Sequence, residues 1–187
     1  VPDLVSEGAK TIGEWREHFY WKIRNFGYQS PHVSELGSLD MILLDLLANR
    51  AGQPLHRFLG AETDCCTVYK GGGSVLLSDE ELVADLVRFQ SEGYHQTKFK
   101  IGYGMDWEKD IRRLEKVRIA LGDEFGIAVD VNQGWDVETA FAFCREASQY
   151  AVSWIEEPIH AYDMDGLRRL RDMLDEAGIP IPIAMGE

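Results

Sequence analysis

The stretch TKFKIGYGMDWEKDIRRLEKVRIALGDEFGIAVDVNQGW, residues 97–135, decides the fold. It opens on a β-rich run, TKFKIG at 97–102, passes through a helix-like segment from about Asp106 to Leu121, and closes on a second β-rich run, GIAVDVN at 126–132. A strand, a helix and a strand of this combined length join parallel neighbours. The unit repeats on both sides. Upstream, CCTVYKGGGS at 65–74 precedes a helix over about 78–92, opened by a capping box of Ser78 and Glu81. Downstream, a helix over about 137–149 leads into VSWIEEP at 152–158, and a helix over about 164–177 leads into IPIPIAMGE at 179–187.

Residues 65–187 thus read as strand–helix four times with a fifth strand, an α/β arrangement. Alternation without an early reversal suits a barrel or a doubly wound sheet. Carboxylates at three successive strand ends favour the barrel, because a closed ring converges those ends on one axis. Five strands make a partial (β/α)8 TIM-type barrel, so the chain is expected to stop in mid-barrel. Residues 1–64 read as helical. Thr11 and Glu14 suit a capping box before an aromatic-rich helix that Gly27 stops, and Pro31 restarts the chain. Val33, Leu36, Leu39, Leu43, Leu46 and Leu47 then recur at helical spacing. Asp40 and Asp45 interrupt that apolar face and are expected to be hydrogen-bonded at a helix–barrel contact. Residues 53–60 form a connector.

Composition narrows the function. The chain has 187 residues, 45% of them apolar, enough for a sizeable core, and a net charge of −13. Nucleic acid and anionic membrane reward Lys and Arg, so neither is expected as a partner. A small anionic substrate remains compatible, since a bound cation and two lysines reverse the sign locally. Three cysteines, Cys65, Cys66 and Cys144, show no metal-binding spacing and suit free thiols in a reducing cytoplasm. No apolar run approaches the roughly 18 residues of a membrane span. The chain begins at Val1, and sequence upstream of it is expected.

The chemistry sits at the strand ends. Lys98 and Lys100, two apart, share one strand face, while Phe99 and Ile101 face the helices. Each ammonium raises the cost of charging the other, which is expected to depress one amine and make it a general base. Taken alone, the pair would read as solvated lysines on an edge strand. Asp130 and Asn132 repeat the spacing on the next strand, with Val129 and Val131 on the other face; Asp136 is better placed than Asp130 to cap the following helix. Glu156 and Glu157 are adjacent and point to opposite faces, so one of them serves the site. Glu187 closes the last run. Steps of 30, 26 and 31 residues separate Lys100, Asp130, Glu156 and Glu187, about one strand–helix unit each. Three carboxylates from separate strands suit a hard divalent cation, Mg²⁺ first and Mn²⁺ second. Such a set, facing lysines, suits removal of a proton α to a carboxylate, where building charge must meet fixed positive charge. GGGS at 71–74 reads as an anion cradle or, more simply, a tightly packed turn. Trp135 reads as packing.

KFKIGY at 98–103, GDEFGIAVDVNQGW at 122–135, WIEEP at 154–158 and MGE at 185–187 resemble the enolase superfamily, in its mandelate racemase-like branch. Residues 38–60 resemble the segment that joins the family's α+β capping domain to its barrel. The resemblance implies that 1–64 is the helical remainder of that capping domain and 65–187 the first part of the catalytic barrel. It implies Asp130, Glu156 and Glu187 as Mg²⁺ ligands, Lys100 as the base, Lys98 as holder of the substrate carboxylate, and Asn132 and Glu157 as supporting residues. It implies a His–Asp dyad on later strands, outside these residues. The implied reaction is dehydration of an acid sugar through an enediolate. Racemisation or epimerisation of a 2-hydroxy acid and cycloisomerisation share its first step. A non-enzymatic alternative is an inactive metal-binding half-barrel, and open sheet edges predict a homo-oligomer.

Overall fold

The computed structural model describes residues 12–26 and 31–186. The chain divides into two compact units, Val1–Cys66 and Thr67–Glu187. Within the first, helix α1 spans Ile12–Ile23 and ends in a single 3₁₀ turn, α2 spans Pro31–Arg50, and the short α3 spans Leu55–Phe58. Thr11 and Gly27, expected to bound the first helix, lie outside the described residues. Asp40 is hydrogen-bonded, but to a helix of its own unit. The Arg16 guanidinium donates to both its oxygens at 3.0 and 2.7 Å, and holds the Asp40 carboxyl below its usual range. Asp45 accepts from Asn49 one turn on, at 3.0 Å. Both acids are hydrogen-bonded, as expected, to helical neighbours of the same unit.

The second unit begins with strand β1, Lys70–Gly72, followed by α4, Asp79–Ser91. The expected capping box is formed: Ser78 Oγ accepts from the Glu81 amide at 3.2 Å, and the Glu81 carboxylate accepts from the Ser78 amide at 2.8 Å. There follow β2 (Gln96–Lys100), α5 (Trp107–Leu121), β3 (Gly126–Asp130), α6 (Val137–Ala147), β4 (Val152–Glu156), α7 (Met164–Glu176) and β5 (Ile183–Ala184). Asp106, Asp136 and Asp163 cap α5, α6 and α7, each accepting a backbone amide of the first turn. Asp136 thereby takes the capping role and leaves Asp130 for the strand end.

All five strands are parallel and lie in chain order, β1-β2-β3-β4-β5. A doubly wound sheet would reverse its order at a switch point; this sheet has none. Its curvature is visible in one contact. Tyr69, just before β1, and Trp154 of β4 have ring centroids 5.2 Å apart. In a flat sheet, strands three positions apart lie about 14 Å from each other. The sheet therefore curls toward this ring pair.

Phe99, Ile101, Ile127, Val129, Val131, Val152 and Ile155 turn outward into the core, where they meet Leu86, Leu114, Val117, Phe143 and Leu170 from the helices. Of the glycine run, Gly71 and Gly72 end β1 and Gly73 opens a tightly packed turn. Gly73 has φ +66°, and a Cβ there would lie 2.6 Å from Leu82 and 2.7 Å from Phe99. One irregularity matters for the site. The β3–β4 register pairs Ile127 with Val152 but Val129 with Ile155, so β4 carries an extra residue. Strict alternation from Val152 would send Glu156 outward with Val152. The bulge changes the phase, so Val152 and Ile155 both face the helices and Glu156 turns inward.

At the opposite end of the strands, Arg118 closes the sheet. The residue is 8% exposed, and its guanidinium donates to the carbonyls of Gly122 and Phe125, both at 2.7 Å, before β3. It also donates to Tyr150 at 3.0 Å and Ala151 at 3.2 Å, before β4. Replacing Arg118 with Ala leaves these carbonyls unpaired and is expected to cost about 2–4 kcal/mol, measurable by urea denaturation; a cost below about 0.5 kcal/mol would mean that water replaces the guanidinium without loss. Burial pushes the Cys144 thiol up to about 12, whereas Cys65 and Cys66 are exposed. Thiol titration of the native protein is expected to modify two cysteines promptly and the third only on unfolding.

Candidate active site

The parallel register sets Lys100 opposite Asp130 and Asp130 opposite Glu156, one row across the C-terminal ends of β2, β3 and β4. Lys98, two residues back, points to the same side. Its ammonium donates to Asp130 Oδ2 at 3.0 Å and to Glu156 Oε1. Lys100 Nζ lies 2.7 Å from the same Asp130 oxygen. The other Asp130 oxygen accepts the Asn132 amide at 2.9 Å. Side chains predicted from three separate sequence runs therefore meet in one cluster.

Electrostatics divides the lysines. Burial pushes the Lys98 amine down, but its bonds with Glu156 and Asp130 outweigh that and hold it above its usual value. The depressed amine expected of this pair is therefore not Lys98: two carboxylates on one ammonium exceed the repulsion of a neighbouring lysine. Burial likewise pushes the Asp130 carboxyl up, and the bonds from Lys100 and Lys98 overcome it and hold Asp130 below the ordinary carboxylate range. Lys98 is 16% exposed at its side chain and Lys100 42%, so Lys100 faces the open mouth of the strand ends.

Asn132 and Glu157 stand behind this row. Glu157 is buried, and its carboxylate accepts from the Asn132 side-chain amide at 3.4 Å. Asn132, Gln133 and Glu157 have φ of +54°, +65° and +45°. Positive φ is uncommon outside glycine, and such conformations gather where a site dictates the backbone. Two participants escape a reading of sequence alone. Trp154 directs its indole N–H to Glu156 Oε2 at 3.4 Å; its two-residue spacing from Glu156 is the available signal. Gln133 ties the loops after β3 and β4 together, accepting the Ala161 amide at 2.9 Å and donating its own amide to Glu157 O at 2.8 Å. Nothing in its sequence context marks it.

Glu187 lies outside the described residues. Among the described residues no group of three or more His, Cys, Asp or Glu could hold a metal ion. Asp130 and Glu156 nevertheless suit a hard cation, since both bring oxygens within hydrogen-bond reach of the single Lys98 nitrogen. Also among the described residues, no helix is long and apolar enough to cross a membrane.

Residues 81–187 match the family described as Enolase C-terminal domain-like. The chain is 37% identical over 186 residues to the L-talarate/galactarate dehydratase of Salmonella typhimurium, covering 99% of this chain and 45% of that enzyme. It is 30% identical over 167 residues to the 3,6-anhydro-alpha-L-galactonate cycloisomerase of Streptomyces coelicolor, covering 89% and 46%. The crystal structure of a racemase from Streptomyces coelicolor A3(2) with bound magnesium superposes with a TM-score of 0.88 at 29% identity, over 95% of this chain and 48% of the racemase. The chain belongs to the enolase superfamily, in its mandelate racemase-like branch, and its sheet is part of the barrel of those enzymes. It spans about half the length of the curated relatives it matches.

The depressed Asp130 carboxyl has a consequence for stability. A depressed carboxyl stabilises the fold above its unfolded value, about 3.9, and that contribution is lost as pH falls through the folded value. Urea denaturation from pH 6 to pH 2.5 is expected to show a steeper acid limb for the wild type than for Asp130→Asn. Coincident limbs would mean that the lysines do not hold Asp130 ionised.

Proposed function

We propose that the protein removes the α-proton of a small carboxylate and, as the preferred reaction, dehydrates an acid sugar. The observation that carries this reading is the row of Lys100, Asp130 and Glu156 across three neighbouring strand ends, with Lys98 beneath it. Its relatives support the class of chemistry, because acid-sugar dehydratases, cycloisomerases and racemases or epimerases share the opening proton abstraction. The dehydratase reading draws on the 37% identity to an L-talarate/galactarate dehydratase along nearly the whole chain.

The residues divide the work. Lys98, held charged by two carboxylates, stays an ammonium and meets the negative charge of the substrate carboxylate. Lys100, at the mouth, acts as the base toward the proton at C2. As that proton moves to Lys100 Nζ, charge builds on the substrate carboxylate oxygens beside Lys98, so the transition state is held more tightly than the ground state. Loss of the hydroxyl at C3, with a proton supplied to it, completes the dehydration. Asp130, Glu156 and Glu187 would hold Mg²⁺, as solved relatives hold magnesium. When bound, Mg²⁺ supplies further positive charge to the same carboxylate oxygens. Asn132 and Glu157 brace the row from behind.

The test is a screen of the full-length protein with Mg²⁺ against acid sugars, galactarate among them, scoring turnover and solvent exchange of the C2 proton. Lys100→Ala is expected to lower exchange by about 10³-fold while Mg²⁺ binding by calorimetry persists. Undiminished exchange in Lys100→Ala would remove Lys100 from this role.

A further inference from the structure

Lys100 is the last residue of its strand, and the chain beyond it turns at once. The ladder still holds Lys100 and Ile101, whose amides donate to Gly73 O and Asp130 O, both at 2.9 Å. From Gly102 onward there is no strand partner. Gly102 has φ +81° and Gly104 φ +90°, and between them Tyr103 stands 71% exposed at the rim. A turn of two glycines around an exposed tyrosine would be mobile if left to itself. It is instead pinned at both ends by buried side chains. The Gly102 amide donates to Asp110 Oδ2 at 3.0 Å, and the Trp135 indole donates to Gly104 O at 3.0 Å. Asp110 is 6% exposed in the first turn of α5, and Trp135 is 5% exposed and packs on Phe143.

The turn also presses on the strand exit that carries Asp130. A Cβ at Gly102 would lie 2.8 Å from Val131 Cγ1 and 3.1 Å from Val131 O. A Cβ at Gly134 would lie 3.1 Å from Gly102 O. Val131 sits between Asp130 and Asn132, so the turn after Lys100 and the turn after Asp130 pack backbone on backbone. A cavity of about 330 Å³ opens beside them, with Lys100, Tyr103, Ser74 and Asn132 on its wall.

Asp110 has no ion pair among the described residues, and burial raises its carboxyl above the ordinary value. Arg113 and Lys109 lower it from a distance without offsetting burial; a buried carboxylate with no direct ion pair costs stability, and such groups concentrate where a site requires them. Helix α5 is capped independently by Asp106, so Asp110 is not needed to start it.

We propose that Asp110 and Trp135 are positioning residues for Lys100: together they hold the Gly102–Gly104 turn and so fix where the Lys100 backbone leaves the strand relative to Asp130. The inference rests on the reading of Lys100 as the base. Lys100 carries a long flexible arm, and its amine reaches the C2 proton reproducibly only if its backbone is fixed. Neither Asp110 nor Trp135 lines the cavity beside Lys100.

The full-length protein carries the test, with C2 proton exchange, Mg²⁺ titration by calorimetry and amide hydrogen exchange of residues 101–104 as readouts. A misplaced base costs up to about 10²-fold, so Asp110→Ala is expected to lower the exchange rate at saturation by about 10–100-fold with KM and Mg²⁺ affinity within about threefold of wild type. Its Gly102 amide is expected to lose protection. Asp110→Asn keeps an acceptor for Gly102 and is expected to restore both rate and protection. Trp135→Phe keeps the packing on Phe143, loses the indole N–H, and is expected to lose about tenfold in rate; it decides the matter if Asp110→Ala does not fold. The proposal is overturned if Asp110→Ala keeps the rate while Lys100→Ala abolishes it, or if Asp110→Asn is as impaired as Asp110→Ala. If Lys100→Ala also exchanges normally, the base assignment fails instead, and a Gly102 amide still protected in Asp110→Ala would overturn the turn-holding role separately.

Discussion

Two carboxylates on neighbouring strands, Asp130 and Glu156, face one another across the inner side of a sheet, and the Lys98 ammonium between them makes this tolerable. Burial disfavours the Asp130 carboxylate, and a second acid beside it adds repulsion. The ammonium removes that pressure and sets a geometric demand. Three strands must end at one level, and each must present the right face, for one nitrogen to reach both acids. A slip of a single residue in β4 would aim Glu156 at the helices.

The remainder of the unit meets that demand. Outward-facing residues of the strands, Phe99, Val129 and Ile155 among them, bury against α4 to α7 and fix the sheet as a layer. The bulge in β4 adjusts the phase where simple alternation would fail. Arg118 gathers the starts of β3 and β4 at the far end, so both strands begin from a common anchor and reach the acids in register. The two ends of the strands thus differ: Arg118 anchors one, and the ionisable side chains gather at the other.

The rim carries the local strain. Asn132, Gln133 and Glu157 adopt left-handed backbone conformations within two neighbouring loops, tied by the Gln133 amide and side chain. Such conformations persist only where the surroundings over-determine them. Here the surroundings are hydrogen bonds between successive strand exits, and they orient the side chains behind the Lys100–Asp130–Glu156 row.

Much of this was legible in the chain itself. Strand–helix periodicity, the capping box at Ser78 and Glu81, the cap at Asp136 and the two-residue spacing of Lys98 from Lys100 are local properties, set by backbone geometry and neighbouring side chains. They sufficed to place Lys98, Lys100, Asp130 and Glu156 at strand ends. The long-range facts were not legible. Alternation alone left open which of Glu156 and Glu157 faces inward, and only the resemblance favoured Glu156, because the answer hangs on a bulge that only pairing with β3 creates. It pointed to a depressed lysine, because the repulsion within the pair is local whereas the acids that reverse it at Lys98 arrive from other strands. It did not name the Arg16 partner of Asp40, because Arg16 lies 24 residues away on another helix. Local sequence decides what each segment can become; which charges meet is decided by the register of strands far apart in the chain, since electrostatic partners act through space and not along the backbone.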